Sequence, residues 1–516
     1  MPVGWFVRHG VTQAGGVKLE TTGLFETRLL CFSGICTMMD NLMIRQRGVL
    51  SVGFGFPRAL IGLFVLMGAA VVGSAAVGDE RGEPKPNVML VMLDDSGWTD
   101  FGCYGSDIQT PNIDGLAKAG MRFTDCHAAA PNCSPSRVGM LTGRMPTRVG
   151  VYSYLPANHP MHLPDEEITI AEILKAEGYA TGHFGKWHVS NLESDQPQPV
   201  DQGFEHSLGT DNNAEPSHHN PTNFVRNGKA VGEVKGYSCQ IVVDEANRWL
   251  DSVPADQPFF SCVWFHEPHN KIASPPELIK KYEKLDPNLS RKQATYYANI
   301  ENVDLAVGRL LKKLDDLGRA DNTFVFLTSD NGGLNPWSNQ GLRGKKSFVY
   351  EGGQREPGIL RWPGKVAAGT TSDVLVSHLD LLPTICQITG AATPLDRKLD
   401  GVSWGALLAG QPLERETPLM WFFYRVAPAA AMRQGDWAIV GYLDDPIKKH
   451  THPLSKPDMP MIKSAQLNRF ELYNLKADPE QKVDLALEEP ERLSRMRGEM
   501  TKLHREIVAE GRVWEF

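Results

Sequence analysis

Four apolar segments of the sequence each end in residues that could bind a cation or transfer a proton. One such ending would be typical of an ordinary loop, but four of them suggest that the residues meet in a single site. The segments, with the residues that follow them, are 87–93 with Asp94 and Asp95, 179–184 with Lys186 and His188, 259–265 with His266 and His269, and 323–328 with Asp330 and Asn331.

Two of these endings supply oxygen ligands only. Asp94 and Asp95 follow one segment, and Asp330 and Asn331 follow another. Carboxylate and amide oxygens are the ligands that Ca²⁺ and Mg²⁺ prefer. Asp94 and Asp95 alone would be about as typical of a solvated turn, but a second pair at another strand end favours a metal site.

Cys133 opens the sequence Cys-Ser-Pro-Ser-Arg at 133–137, which is typical of a helix start because Pro135 suits a first helical turn. A helix N-terminus favours an anion through its free N–H groups and its dipole. Arg137 would return a guanidinium to the same end. Cys133 could be an inert buried thiol, a thiolate nucleophile or the precursor of another group, and the residues alone slightly favour the inert thiol.

The apolar segments are typical of strands that are buried on both faces of a parallel sheet. Helical patterns at 110–119, 169–176, 242–250 and 294–317 alternate with them. Strands that alternate with helices predict an α/β fold, with a large mixed, mostly parallel sheet flanked by helices. Ligands of such sheets bind at the carboxyl ends of the strands, which is where the polar endings fall.

The pattern changes in the last part of the sequence. Short strand patterns at 419–423 and 437–440 precede a helical pattern at 491–510. We therefore expect a catalytic α/β domain at 84–410 and a smaller C-terminal α+β subdomain at 411–516, with a short antiparallel sheet and one packed helix.

The composition is that of an ordinary globular protein and excludes several classes. The chain has 516 residues, of which 41% are hydrophobic and 22% charged, so collagen, coiled coil and wholesale disorder are excluded. A formal charge of −8 argues against a nucleic-acid-binding role. The eight cysteines have neither the spacing of a zinc site nor the density of a disulfide scaffold.

Residues 45–76 are typical of a secretory signal peptide. Basic residues precede an apolar, uncharged stretch at 59–72, and small residues follow it. We expect a secreted or periplasmic protein whose residues 1–42 are a misread upstream start, so that 1–76 do not belong to the mature fold. An uncleaved signal anchor is the alternative, and only that would involve a membrane. Residues 77–516 carry 47 Lys and Arg against 58 Asp and Glu, a formal charge of −11, so an anionic substrate must be bound by local cations.

Further motifs accompany Cys133 in the sequence. They are DD at 94–95, CSPSR at 133–137, LTGR at 141–144, GYATGHFGKWH at 178–188, PH at 268–269, SDNGG at 329–333, LRGKKSFVYEGGQREP at 342–357 and ELYNLKADPEQ at 471–481. Together they resemble the type I, formylglycine-dependent sulfatases of the alkaline phosphatase superfamily. The motifs stand in the family's order over nearly the whole of 87–516, which makes chance resemblance an inadequate explanation.

This resemblance implies that Cys133 is oxidised to formylglycine by a formylglycine-generating or equivalent maturase. The hydrate of that aldehyde is the family's nucleophile, and it resolves the ambiguity of Cys133 because a hydroxyl oxygen suits a hard cation better than a thiol does. The resemblance places a Ca²⁺ ion, with Mg²⁺ as the alternative, on Asp94, Asp95, Asp330 and Asn331 together with the converted Cys133.

The resemblance also assigns roles in catalysis. Arg137 holds the formylglycine oxygens, Lys186 and Lys346 bind the sulfate, His188 deprotonates the second hydroxyl, and His269 faces the leaving oxygen. Two of these assignments keep an alternative. Lys345 stands where the family usually has glycine, so the sulfate-binding lysine could be shifted by one residue. His266 is either a structural neighbour or a residue that faces the substrate.

The implied reaction is the hydrolysis of a sulfate ester. Motifs such as FHEPH at 265–269 resemble the carbohydrate sulfatases, including the N-acetylgalactosamine-6-sulfatase group, more than the steroid sulfatases. The alternatives are a phosphoester or phosphonate hydrolase of the same superfamily and a catalytically dead, glycan-binding homologue. The polar segment 211–227 is either a loop that faces the substrate or an exposed connection.

Overall fold

A computed structural model describes residues 84–425, 427–444 and 453–516. The expected signal peptide and the segment before it lie outside the described residues. Eleven strands in the described part of the chain form one large sheet. In chain order they are β1 (Asn87–Asp94), β2 (Met121–His127), β3 (Ala180–Lys186), β4 (His206–Thr210), β5 (Phe224–Arg226), β6 (Lys229–Gly232), β7 (Phe259–Pro268), β8 (Thr323–Ser329), β9 (Arg355–Arg361), β10 (Thr370–Ser372) and β11 (Val376–Ser377).

The large sheet has the spatial order β10-β2-β9-β8-β1-β7-β3-β4-β5-β6, and β11 pairs with β2. Strands β8, β1, β7, β3 and β4 are parallel neighbours, whereas β9 and β5 run against theirs. The expected mixed, mostly parallel sheet is therefore confirmed. The four strands predicted from the sequence occupy four adjacent places at its centre.

Strand β1 shows why the centre of this sheet is apolar throughout. Val88, Leu90 and Met92 belong to the core on one face, and Met89 belongs to the core on the other. Alternate side chains of a strand point to opposite faces, so a strand covered on both faces reads as an unbroken apolar run. Three of the four predicted strands continue into their polar endings, since Lys186 of β3, for example, still pairs with Thr210 of β4.

Helices cover both faces of the large sheet. The patterns expected at 110–119, 169–176, 242–250 and 294–317 all form helices, and the third is longer than expected at both ends. In the described residues the α-helices are α1 (Pro111–Lys118), α2 (Cys133–Thr142), α3 (Pro146–Val149), α4 (Ile170–Ala176), α5 (Ser238–Ser252), α6 (Pro276–Leu285), α7 (Arg291–Asp316), α8 (Glu351–Gln354), α9 (Leu381–Thr389), α10 (Gly405–Leu408), α11 (Asp458–Ser464) and α12 (Pro490–Glu510).

A four-stranded antiparallel sheet follows near the C-terminus, in the order β12 (Leu419–Phe423), β13 (Ala429–Gln434), β14 (Trp437–Leu443) and β15 (Leu467–Asn474). Helix α12 packs on β14 and β15, with apolar residues at helical spacing facing the core. The large sheet and this small one belong to one compact unit. No helix in the described part of the chain has the length and the apolar character that crossing a membrane requires.

A buried ion-pair network joins the two sheets. The guanidinium of Arg433 on β13 donates to both carboxylate oxygens of Asp125 on β2, at 2.9 and 2.7 Å. His127 lies 3.2 Å from Glu351. Burial alone would raise the pKa of Glu351, but His127 and Arg433 outweigh it and lower the pKa to about 2. Asp125, His127 and Glu351 are residue types that can bind a metal, but Arg433 already pairs with both carboxylates.

Candidate active site

The four polar endings lie side by side at the carboxyl edge of β8, β1, β7 and β3. Asp94 ends β1, Lys186 ends β3, and His269 and Asp330 directly follow β7 and β8. Parallel neighbours bring their carboxyl ends to one edge, so residues far apart in sequence meet there. Gly185 is required where β3 passes β7, because a Cβ at this position would lie 1.8 Å from a backbone oxygen.

Asp94, Asp95 and Asp330 form a buried cluster whose carboxylate oxygens lie within 4.8 Å of one another. The amide of Asn331 donates to Asp95 Oδ1 at 2.7 Å. Within the described residues, Asp94 Oδ1 and Asn331 Oδ1 are buried and have no hydrogen-bond partner. A buried oxygen without a partner is costly, so these hard oxygens fit a divalent cation well.

The cationic side chains around this cluster are held in place by it. Lys186 Nζ donates to Asp94 at 2.6 Å, and Lys346 Nζ lies 2.7 Å from Asp95 Oδ1. Burial alone would raise the pKa of the Asp94 carboxyl, but Lys186 keeps it below its usual value. Burial and the charge of Asp94 raise the pKa of Asp330 despite Arg137. The protein's own cations therefore outweigh the burial of Asp94 but not that of Asp330.

Arg137 connects helix α2 to the acidic cluster. Its Nε and Nη2 donate to Asp330 Oδ2 at 3.1 and 2.8 Å, and its Nη1 donates to the carbonyl of Lys186 at 2.8 Å. The guanidinium is fully buried and lies 5.2 Å from the ring centroid of Trp264. These two hydrogen bonds to a single carboxylate oxygen hold the start of α2, and thereby Cys133, beside the carboxylates.

Cys133 is the first residue of α2 and is buried. Burial raises the pKa of its thiol, although Lys346 and Lys186 oppose the shift. The unmodified side chain is therefore a neutral thiol rather than a thiolate nucleophile. A neutral thiol is also a poor ligand for the hard cation that the neighbouring oxygens suit.

His188 reaches the same place from the loop after β3. Its Nε2 donates to the carbonyl of Leu155 at 2.9 Å, and the N–H of Leu155 donates to Ser134 Oγ at 3.0 Å. Because Nε2 carries the hydrogen, Nδ1 holds the lone pair, and this atom has no hydrogen-bond partner among the described residues. Burial, with Lys186 and Arg137, lowers the pKa of His188 well below 6.5. His188 is thus a neutral ring with a free basic nitrogen.

The two histidines near the end of β7 lie in different surroundings. His269 Nδ1 donates to the carbonyl of Asn270 at 2.7 Å, and its Nε2 lies 3.5 Å from Asp95 Oδ2. Its side chain is 19% exposed, and burial lowers its pKa against the influence of Asp95. His266 is fully buried and its Nε2 lies 2.8 Å from Thr210 Oγ1. This burial favours the interpretation of His266 as a structural neighbour.

A cavity of about 310 Å³ exposes these groups to a ligand. Cys133, His188, His269 and Lys346 line it, as the sequence leads one to expect, while Lys186 and the carboxylates lie deeper. Sequence reasoning did not name every residue of its wall. Two of the residues that it missed had a signal, because Asn212 belongs to the polar segment 211–227 and Ser347 to the motif at 342–357. The other missed lining residues include Tyr154, Leu334 and Arg425.

Lys345 and Lys346 are separated by the structure. Lys346 contacts Asp95 in the catalytic cavity, whereas Lys345 is exposed and lines a neighbouring cavity. Charge from Asp95, acting against burial, raises the pKa of Lys346 above its usual value, so Lys346 is cationic. The geometry therefore favours Lys346 over Lys345 as the lysine that contacts a bound anion.

Comparison with known proteins gives matches along most of the chain. Residues 86–391 match the family described as Sulfatase, and residues 341–507 match that described as N-sulphoglucosamine sulphohydrolase, C-terminal. An N-acetylgalactosamine-6-sulfatase of Canis lupus familiaris is 34% identical over 405 residues, or 71% of this chain and 74% of the relative. Arylsulfatase A of Homo sapiens is 32% identical over 443 residues, or 78% and 83%. The crystal structure of Ps i-CgsB in complex with k-i-k-neocarrahexaose has a TM-score of 0.70 at 28% identity, covering 81% of this chain and 93% of that one.

Proposed function

The chain belongs to the sulfatase family, and from that premise we propose that it removes sulfate from a sulfated carbohydrate through a formylglycine made from Cys133. The observation that carries the proposal is the set of groups around Cys133. Its thiol is influenced by the charges of Lys186, Lys346, Asp94 and Asp330, and it lines a cavity that His188 and His269 also line.

Asp94, Asp95, Asp330 and Asn331 would hold the divalent cation. The oxygens Asp94 Oδ1 and Asn331 Oδ1, which are buried and lack hydrogen-bond partners within the described residues, support this assignment. An all-oxygen ligand set suits Ca²⁺ or Mg²⁺, and the family resemblance favours Ca²⁺. When bound, the ion would neutralise sulfate oxygens and make the sulfur more electrophilic. Converting Cys133 to formylglycine, which requires a formylglycine-generating or equivalent maturase, and adding water to its aldehyde would replace the neutral thiol by two hydroxyl oxygens that suit such an ion.

Cationic side chains near the acidic cluster would allow this acidic chain to bind a sulfate ester. Lys186 and Lys346 contact the acidic cluster, and Arg137 reaches it from α2. Asp94 and Asp95 would share their negative charge with a divalent ion that they held, which would leave Lys186 and Lys346 free to donate to sulfate oxygens. The binding of the anion therefore depends on the metal as well as on the lysines.

The histidines divide the proton transfers. Asp330 takes a proton from the attacking hydroxyl of the Cys133-derived hydrate, and its raised pKa suits that task. His269, in its imidazolium form, which the charge of Asp95 favours, donates a proton through Nε2 to the alcohol as the bond from sulfur to its oxygen breaks, with Lys346 as the alternative donor. His188 Nδ1 then removes the proton of the second hydroxyl, after which sulfate leaves and the aldehyde is restored. A serine at 133 would lack that second hydroxyl.

A carbohydrate is the substrate class that the relatives favour. One relative is named for N-acetylgalactosamine 6-sulfate, and one solved neighbour holds a neocarrahexaose. The complete set of polar groups, in the wall of one cavity and directly beneath it, argues against a catalytically dead homologue. We further propose that the chain is exported, since the signal expected at 45–76 would bring it to sulfated polysaccharides outside the cell.

Turnover on matched esters tests this proposal. The full chain, coproduced with a formylglycine-generating maturase, is assayed on a panel of sulfated mono- and oligosaccharides and on the corresponding phosphate esters. We expect sulfate release from at least one saccharide and loss of nearly all turnover in Cys133→Ser. Faster turnover of phosphate esters, or full turnover in Cys133→Ser, would contradict the proposal.

A further inference from the structure

A second cavity, of about 230 Å³, opens beside the catalytic cavity. The two cavities share His269 and Leu334 in their walls. The second cavity is also lined by Lys292, near the start of α7, and by Lys345, the residue next to Lys346. A ligand seated on His269 would therefore meet both cavities.

Lys292 and Lys345 carry positive charges that the described residues leave unpaired. Both lysines are exposed, and neither forms an ion pair within the described part of the chain. Lys292 Nζ lies 5.9 Å from the ring centroid of Trp337, which does not neutralise its charge. The lysines of the catalytic site are different, because Lys186 and Lys346 are paired with acids at 2.6 and 2.7 Å. Unpaired cations in a concave site favour an anionic ligand.

The rest of the cavity wall does not cancel this charge. Asp95 is the one acid among its lining residues, and its carboxylate is already engaged by Lys346 and Asn331, each at 2.7 Å. Asn270 and Asn335 add neutral amides that can donate hydrogen bonds. The cavity is therefore a local cationic site on a chain with a formal charge of −8.

We propose that this second cavity binds a further anionic group of the substrate, on the sugar next to the one that carries the cleaved sulfate. The inference rests on the proposed function, in which His269 faces the leaving oxygen. The sugar attached beyond that oxygen then extends past His269 toward Lys345 and Lys292. The substrate class is accordingly a polyanionic oligosaccharide, in which a carboxylate or a second sulfate accompanies the sulfate that is removed.

Paired ligands test the subsite by calorimetry on the calcium-loaded full chain carrying Cys133→Ser, which stops turnover. One pair is a 6-sulfated hexosamine linked to a uronate and the methyl ester of the same disaccharide. The other pair is a galactose disaccharide with two sulfates and with one. We expect the more anionic member of at least one pair to bind about fivefold more tightly, which at 1.4 kcal/mol per tenfold is about 1 kcal/mol. The pair that shows the difference identifies carboxylate or sulfate as the preferred group.

Two double variants in the same background decide the origin of that preference. Lys292→Gln with Lys345→Gln should bring the ratio of dissociation constants close to one. Lys118→Gln with Lys175→Gln is the matched control, because it removes two exposed charges from helix ends that precede β2 and β3, at the opposite edge of the sheet. This control should keep the parent ratio.

A ratio near one in the parent for both pairs, or a ratio that persists in the Lys292 and Lys345 double variant, would overturn the subsite. Its failure is distinguishable from failure of the proposed function, because the binding ratio is measured without turnover. A preserved ratio in a chain whose matured form cleaves no sulfate ester would support the subsite and contradict the sulfatase mechanism.

Discussion

Replacing His269 with alanine should slow the enzyme most on substrates whose leaving group needs a proton. The ring is oriented by its Nδ1 hydrogen bond to Asn270, and Nε2 is left toward Asp95 and the cavity. General acid catalysis typically contributes ~10²–10⁴-fold, so kcat on alkyl sulfates should fall by that factor, or by about 2.7–5.4 kcal/mol in activation free energy. Because the side chain is partly exposed, the fold should be retained.

The assay compares kcat of the matured enzyme and of His269→Ala on an alkyl sulfate and on 4-nitrophenyl sulfate. The loss should be much smaller on the aryl ester, whose leaving group needs little protonation. His266→Gln is the control, since His266 contacts Thr210 in the core and should change the midpoint of thermal unfolding without any dependence on the leaving group. An equal loss on both esters in His269→Ala, or a leaving-group-dependent loss in His266→Gln, would refute the acid assigned here.

Three further predictions concern the metal, the buried ion pair and the pH dependence of stability. Asp330→Asn should bind calcium more weakly and lose activity while circular dichroism stays unchanged; metal content near that of the parent would contradict the ligand role. Arg137→Met should lower the free energy of unfolding in urea by about 3–5 kcal/mol, because it leaves Asp330 buried without its guanidinium, and a loss below 1 kcal/mol would be too small for such a pair. Burial raises the pKa of Asp100 from its usual value of 3.8 to about 6. Between pH 3.8 and pH 6 the folded chain therefore binds a proton that the unfolded chain releases. This protonation stabilises the fold, and its contribution is lost as the pH rises through that window. Asp100→Asn should therefore flatten the dependence of unfolding free energy on pH across this window. An unchanged slope would contradict a raised pKa at Asp100.

Much of the site edge could be predicted because it depends on local patterns. An unbroken apolar run followed by Asp94 indicates a central strand and its carboxyl end, and the same holds before Asp330. The remaining step, that parallel strands end at one edge, is a general property of the fold. The strand order that makes β8, β1, β7 and β3 neighbours is set by pairing between distant segments, and nothing in the sequence states it directly.

The parts that could not be predicted depend on long-range burial. His266 and His269 look alike in sequence, and only their packing shows that one contacts Thr210 in the core and the other lines the cavity. Tyr154 belongs to no motif in the sequence, yet the fold places it in the cavity wall. The helix start at Thr169, by contrast, was predictable because its signal is local. Thr169 forms a capping box with Glu172, so the signal is contained in four residues.

Mass spectrometry of the peptide that contains Cys133 tests the central claim most directly. Preparations with different extents of maturation are assayed on a sulfate ester, and the fraction of formylglycine at position 133 is measured in each. Turnover per molecule should be proportional to the formylglycine fraction and should vanish where only cysteine is present. Full turnover from a preparation whose peptide holds unmodified Cys133 would contradict the mechanism.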